Sequence, residues 1–350
     1  MQNNFKVLLF VFVVTFCVSA NLHAQDKLFR IVEYNVENLF DTIHQEGLND
    51  QEFTPTGSHR WDSRRYWSKQ DRLLRTIVAC GGIEPPAIVV MCEVENDSVL
   101  ADLTRHTRLA MLGYEFVATQ GSDPRGINVA LLYQPIQFKP LRVERLQVNT
   151  PHNPLGSTRD ILYVSGLVPT LDTLDLYCVH LPSRSGGQTA TDKRRTEAVS
   201  VVAAHIDRER QRGRRPNHIV LGDFNDEWHN NCIRKTLKAI RPNGDIDREA
   251  NYVLTARMKA AHGIRGTYYF QRQWSQLDNI VVAGSLLDPS ARFHTRPENC
   301  RIGAFDFLLE HDRMQRYKPR RNYLGTHYHG GYSDHLPLLL DFVCKPVGEE

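Results

Sequence analysis

Five short blocks of this chain combine acids, amides and imidazoles: Tyr34-Asn35-Val36-Glu37-Asn38, Cys92-Glu93-Val94-Glu95-Asn96, His180-Leu181-Pro182-Ser183, Gly222-Asp223-Phe224-Asn225 and Ser333-Asp334-His335. Asp278 stands alone as a sixth element. Hydrolysis of a phosphate ester calls for such a set. A hard cation takes carboxylate and amide oxygens, the attacking water needs a base, and the phosphate needs donors that hold it as charge moves. Each block alone also has a plainer reading: Gly-Asp-Phe-Asn as a tight turn, Asp334 as an edge acid ahead of a strand, His180 as a structural histidine. Their common place at the ends of apolar strands argues for chemistry presented by a rigid scaffold.

The elements that must position them follow from hydrophobic period. Strands are predicted over 28–35, 87–92 (exit at Glu93), 161–168, 174–179 (ending on His180), 218–221 (exit at Gly222), 277–282 (beginning near Asp278) and 336–343, directly after Ser333-Asp334-His335. Phe116-Val117, 127–133 and 141–148 read as a meander. Ser68 with Asp71 forms a capping-box pattern ahead of Leu73, Leu74, Ile77 and Val78; Val99, Leu100, Leu103 and Leu109 mark a second helix, and a third runs from about 189 to 210. No solenoid repeat, low-complexity tract or Pro/Ser linker divides the chain, so residues 25–350 are expected to form one α/β or α+β domain.

In order and company the blocks resemble the endonuclease/exonuclease/phosphatase superfamily of metal-dependent phosphoesterases, deoxyribonuclease-like enzymes among them, over about residues 28–343. Gly-Asp-Phe-Asn and Ser-Asp-His, joined to Glu93, carry the resemblance most specifically. It implies a four-layer α/β/β/α sandwich of two mixed β-sheets. Glu93 looks like the principal metal ligand, helped by Asn35, with Asp334 and, in some members only, Glu37 as further ligands. Asp223 resembles the residue that orients and deprotonates water, Asn225 the amide that holds a non-bridging phosphate oxygen, and His335 the imidazole that stabilises the transition state, fixed by Asp278. His180 resembles a second histidine that contacts phosphate or protonates the leaving oxygen. A carboxylate behind His335 favours its protonated form, while a cation and a histidine beside Asp223 would keep that acid ionised. Ser183 and Arg184, in the Ser183-Arg184-Ser185-Gly186-Gly187 stretch, either bring donors to a phosphate or form a connector. An oxygen-rich ligand set favours one or two magnesium, manganese or calcium ions.

The 350 residues, 41% apolar and 24% charged, exclude a disordered or fibrous chain. Lys6 followed by the apolar run 7–18 reads as a signal peptide over 1–24, cut after Ala24 or Ala20; export to the periplasm or medium follows, with no membrane span in the mature chain. Cys17 leaves with it, and the six remaining cysteines permit disulfides without requiring them; Cys92 and Cys178 read as buried apolar positions. Net charge is only +3, so polyanion binding would need local clusters. Two are present, Lys193 to Arg215 and Arg313 to Arg321, each of which can equally be a solvated face. Trp61, Trp67 and Trp274 read as plugs of the sandwich edge rather than stacking platforms, and the long stretches 40–66 and 301–328 as walls of a substrate cleft. The expected activity is a secreted nuclease or phosphodiesterase, possible partners being nucleic acid or another phosphoester and no obligate protein; the alternatives are a phosphatase or phospholipase-C-like hydrolase of small phosphoesters, and an inactive binding module.

Overall fold

A computed structural model describes residues 27–345 apart from 122, 215, 216 and 259; the leader read over 1–24 lies outside the described residues. The elements follow in the order β1 (Lys27–Leu39), α1 (Ser63–Gly81), β2 (Ile88–Val94), α2 (Asp97–Ala101), β3 (Glu115–Ala118), β4 (Asn128–Tyr133), β5 (Lys139–Leu146), β6 (Ile161–Leu167), β7 (Thr173–His180) and α3 (Gln188–Gln211). There follow β8 (Asn217–Asp223), β9 (Ala239–Ile240), β10 (Asn251–Val253), β11 (Tyr268–Phe270), β12 (Gln273–Ser275), β13 (Asp278–Ala283), β14 (Phe293–Ile302), β15 (Leu309–His311), β16 (Tyr317–Pro319), β17 (Tyr323–Leu324), β18 (His327–Tyr328) and β19 (Leu338–Cys344).

Two mixed sheets form, ordered β14-β19-β1-β2-β4-β3 and β5-β6-β7-β8-β13-β10-β9, with β11-β12, β15-β16 and β17-β18 as separate hairpins. Between the sheets lies a core that includes Ile31, Ile88, Val90 and Leu131 from the first and Leu176, Cys178, Ile219, Leu221 and Ile280 from the second. On the outer face of the first sheet α1 buries Leu73 and Ile77 against Val32, Tyr34 and Met91. On the outer face of the second, α3 sets Ala198, Val199, Val202 and Ile206 against Tyr163, Tyr177 and Val220. The layers are therefore α/β/β/α, as the resemblance implies. Strands buried on both faces are near-continuous apolar runs, which is why β2, β7 and β8 could be read from sequence.

Side chains alternate faces along a strand, and following the core-facing set to each strand end meets a polar group. On β1 the series is Ile31, Glu33, Asn35; on β7 it is Leu176, Cys178, His180; on β8 it is Ile219, Leu221, Asp223; on β13, which runs the other way, Ile280 leads back to Asp278. Register completes the arrangement. His180 pairs with Asp223 in the parallel β7–β8 ladder, and Asp223 pairs with Asp278 in the antiparallel β8–β13 ladder. Three side chains thus stand in a row at one end of the inter-sheet seam.

Several boundaries differ from expectation. Helix α1 starts at Ser63 under an Asp62 cap that accepts from Arg65 N at 2.9 Å, not at the Ser68 capping box. Ser68 falls inside it. The second helix keeps regular α form only over Asp97–Ala101 and continues as irregular turns. The meander splits: β3 and β4 pair in the first sheet, whereas β5 joins the second after Phe138 enters the inter-sheet core. The six cysteines from Cys80 to Cys344 are all buried, and among the described residues none is joined to another in a disulfide. Trp61 is fully buried and donates its indole N–H to Phe40 O at 3.0 Å, and Trp274 packs on the core, both as edge plugs. Among the described residues no helix is long and apolar enough to cross a membrane.

Candidate active site

The row His180–Asp223–Asp278 is extended by His335, which follows the turn leading into β19. Ser333 fixes that turn, donating its hydroxyl to Asn35 O at 2.7 Å and accepting His335 N at 3.1 Å. His335 Nδ1 meets Asp278 Oδ2 at 2.7 Å, and Thr267 donates its hydroxyl to the same oxygen. The far ring nitrogen, Nε2, lies 4.0 Å from Asp223 Oδ2, and His180 Nε2 lies 3.6 Å from the same atom. Glu93 Oε1 is 4.0 Å from His180 Nε2. Asn35 Nδ2 bridges, donating to Asp223 Oδ2 at 3.1 Å and reaching Glu93 Oε1 at 3.5 Å. Side chains from both sheets therefore meet around one small volume.

The two histidines are driven in opposite directions. Burial by itself would deprotonate His335, but the Asp278 carboxylate in hydrogen-bond contact overrides it and lifts the imidazole well above its usual range. His180 is driven well below its usual range, first by burial and then by Arg159, Arg125 and His335, so it stays neutral. For Asp223, burial and then the Asp278 charge push the carboxyl up to about 7, opposed by His335. Glu33, one step deeper on β1, is fully buried with neither carboxyl oxygen hydrogen-bonded; burial and then Asp278 and Asp223 hold it well above the carboxylate range.

Backbone strain concentrates at the same strand ends. Glu93, at an irregularity of the β2–β4 ladder, has φ 67°, Asn225 has φ 50°, and Glu37 and Asn38 have φ 54° and 53°. Left-handed conformations at non-glycine residues cost free energy and persist where the surroundings over-determine them, as at sites of chemistry. Here the bend returns Asn38 N to Glu93 Oε2 at 2.8 Å and Asn225 N to Asp223 Oδ1 at 2.7 Å, so two strained backbones hold two acids. Gly222 is obligatory for another reason: a Cβ there would lie 1.9 Å from Val179 O.

The polar atoms of Asp223, Asp278 and His335 lie within 4.8 Å of one another, and with His335 held by Asp278 the carboxylate oxygens are the donors there for a divalent cation. Asp278 Oδ1 is buried without a hydrogen-bond partner, and the surrounding donors are oxygen-rich, as a hard cation requires. The open volume above them is a cleft of about 490 Å³ lined by Glu93, Asp223, Asn225, His180, His335 and Asp334 together with Ser183 and Arg184. Arg184 also ties down the turn, donating to Asn225 O at 2.7 Å, while Asn225 Nδ2 donates to Leu181 O at 3.0 Å. Glu37 is turned elsewhere. Its carboxylate accepts from Asn322 N at 2.7 Å and from Arg321, which also bonds Asp334 at 2.9 Å.

The sequence from residue 30 to 343 matches the Endonuclease/Exonuclease/phosphatase family. The chain belongs to that family. Solved structures share its fold. An endonuclease/exonuclease/phosphatase family protein of Bacteroides thetaiotaomicron is 16% identical with TM-score 0.56, covering 92% of this chain and 96% of that one. A mannosyl-6-phosphatase of the same species is 17% identical, TM-score 0.55, covering 90% and 99%. D. rerio TDP2, complexed with a single-strand DNA product, is 17% identical, TM-score 0.53, covering 91% and 99%. No curated protein matches the sequence.

In this endonuclease/exonuclease/phosphatase chain several functional neighbours escaped sequence reasoning. Arg159 is buried and donates to His180 O, Leu181 O and Asp123, fastening the loop that carries His180. Arg125 lines the cleft with an Asn38 contact at 2.7 Å and no carboxylate in ion-pair range among the described residues. Tyr268 and Phe270 of the β11–β12 hairpin form another wall. The stretches 40–66 and 301–328, expected to shape the cleft, contribute nothing to its lining. Part of each basic cluster is spent on internal pairs, Arg195 with Asp226, Arg212 and Arg214 with Glu209, Arg316 with Asp312 and Lys318 with Glu310, while Arg194 and Arg210 bond neutral oxygens. Arg215 lies outside the described residues. A Gly-flanked Asp-Pro-Arg before β4 was the one available sign of Arg125, and it reads as an ordinary turn.

Proposed function

We propose that this chain is an exported, divalent-metal-dependent phosphoester hydrolase that admits one phosphate group to the cleft. The observation that carries the reading is the His180–Asp223–Asp278 row closed by the Asp278–His335 hydrogen bond at 2.7 Å. A bound magnesium, manganese or calcium ion, held by Glu93 with Asn35 and neighbouring acid oxygens, would supply positive charge to the phosphate and to the attacking water. Asp223 then accepts hydrogen from that water and aligns it; the new bond joins water oxygen to phosphorus as the bond to the ester oxygen breaks, the water proton passes to Asp223, and the leaving oxygen departs with the electron pair and takes a proton from solvent. Protonated His335 faces the phosphate through Nε2 and stabilises its added charge, with Asp278 preserving proton and orientation. His180, being neutral, hydrogen-bonds a phosphate oxygen and is a poor proton donor to the leaving group. Asn225 and Arg125 complete the phosphate contacts.

Substrate size follows from charge already committed. The internal pairing of Arg195, Arg212, Arg214, Arg316 and Lys318 thins any cationic track for a duplex backbone, which supports a small phosphoester or the end of a single strand over an internal duplex site. Nucleic-acid hydrolysis is the second reading, supported by Arg125, which lines the same cleft as Tyr268 and Phe270 and has no carboxylate in ion-pair range among the described residues. The test is a panel of sugar phosphates, mononucleotides, phosphodiesters and single- and double-stranded DNA, with magnesium and with chelator. Asp223→Asn is expected to lower turnover about 10²–10⁴-fold while the melting temperature stays within a few degrees; no metal-dependent release from any substrate would sink the reading.

A further inference from the structure

The β11–β12 hairpin departs from the rest of the cleft in chemistry. Its two turn residues, Gln271 and Arg272, both adopt left-handed backbone, with φ 46° and 67°, where glycine or asparagine is the relaxed choice. That turn keeps Tyr268 and Phe270 on one side of the hairpin, rings 6.3 Å apart and 18° from parallel. Phe270 is 56% exposed, although both residues line the cleft that holds Asp223 and His335. Tyr268 is tied to the chemistry directly: it makes a backbone bridge to His335, its ring stands 4.8 Å from the imidazole, and Leu336 N donates to the adjoining Thr267 O at 2.8 Å. The aromatic surface is therefore fixed relative to the reacting centre. The same cleft is lined by Arg125, a cation with no carboxylate in ion-pair range among the described residues.

We propose that Tyr268 and Phe270 form a stacking subsite, so that the preferred substrates are phosphoesters bearing a planar ring, aryl or heterocyclic, close to the scissile phosphate. A ring group on the ester would lie against Phe270 while its phosphate sits between His335, Asn225 and Arg125. An open aromatic face in a cleft of about 490 Å³ is large enough for such a ligand and gains more from a flat π surface than from a polyol. The inference rests on the phosphoester hydrolase reading and adds only the group beside the phosphate.

Binding of two unreactive phosphonates with magnesium present separates the two ideas. Phenylphosphonate is expected to bind the wild-type chain about tenfold more tightly than methylphosphonate. The preference should fall below about twofold in Phe270→Ala and be retained in Phe270→Tyr. Thymidine 5′-phosphate and a 5′-phosphorylated oligothymidylate then compete against phenylphosphonate: displacement by the mononucleotide alone assigns the ring to a small ligand, and by both, to a strand end as well. Equal affinity of the two phosphonates for the wild type, or a preference that survives Phe270→Ala, overturns the subsite while leaving the hydrolase in place. Failure of both phosphonates to bind, with no hydrolysis in the panel above, removes the hydrolase reading and the subsite with it.

Discussion

At the residue scale the site works by dividing charge among groups that would otherwise be alike. Two histidines lie close to one carboxylate, yet only His335 is hydrogen-bonded to an acid, and it alone is held toward the cationic form. Asp278→Asn should undo that difference. Without the carboxylate, burial dominates and the His335 pKa falls, so the alkaline limb of the pH–rate profile should move to lower pH, with the maximum rate down about 10-fold or more; an unmoved limb would mean that His335 is not the group it reports. The identities of Asp223, Asp278, His180 and His335 were legible in the letters because each follows or opens an apolar strand. Asp223's shifted acidity was not, because it depends on burial and on an Asp278 charge 55 positions away. Glu33 was invisible for the same reason. In the string it is one more polar letter in a strand, and only the packing of two sheets makes it a buried carboxyl without a partner.

At the element scale the site depends on parallel strands β7 and β8 approaching closely. Gly222, at φ 139°, leaves no room for a methyl group against Val179 O, so Gly222→Ala should force the ladder apart. A loss of about 2–4 kcal/mol in urea unfolding is expected, with activity falling even where the protein remains folded. A loss under about 0.5 kcal/mol would show that the strand end yields at little cost. Long apolar strands could be read because period and composition agree there. Strands β9, β10, β14 and the hairpins could not. Each of β9 and β10 is two or three residues long, β14 is broken by a ladder irregularity between Thr295 and Cys300, and the hairpin carrying Phe270 is polar except for its aromatic residues. The element that lines the cleft with aromatic groups was thus the one with the weakest sequence signal.

At the scale of the whole molecule, acids buried during folding set how stability responds to pH. Glu95 accepts from Asp41 N at 2.6 Å and from Gln45, yet burial outweighs these contacts and raises its carboxyl from 4.5 to about 8. A raised pKa in the folded state means that this contribution is complete below about pH 4.5 and is lost as pH climbs through about 8. Unfolding free energy should therefore decline across that window, with a limiting slope of about 1.4 kcal/mol per pH unit from this group. Glu95→Gln should flatten the decline, and a slope identical to wild type in chemical denaturation from pH 5 to 8.5 would count against the assignment. Sandwich architecture itself was within reach of the sequence through the resemblance of its blocks, whereas the division of β4 and β5 between sheets was not. Both are strands separated by a short link, and only Phe138 entering the core distinguishes a crossover from a hairpin.

Because Asn35 and Glu93 ride on one sheet while His180, Asp223 and Asp278 ride on the other, the reactive geometry doubles as a gauge of how the sheets are seated on each other. A sliding of about one ångström along the seam, too small to unfold either sheet, would open the 3.1 Å contact of Asn35 with Asp223. Phe138 packs in the core against Gly166, where a Cβ would come within 2.4 Å of the ring, so bulk added there is expected to be felt first as misalignment of these side chains and only later as loss of structure.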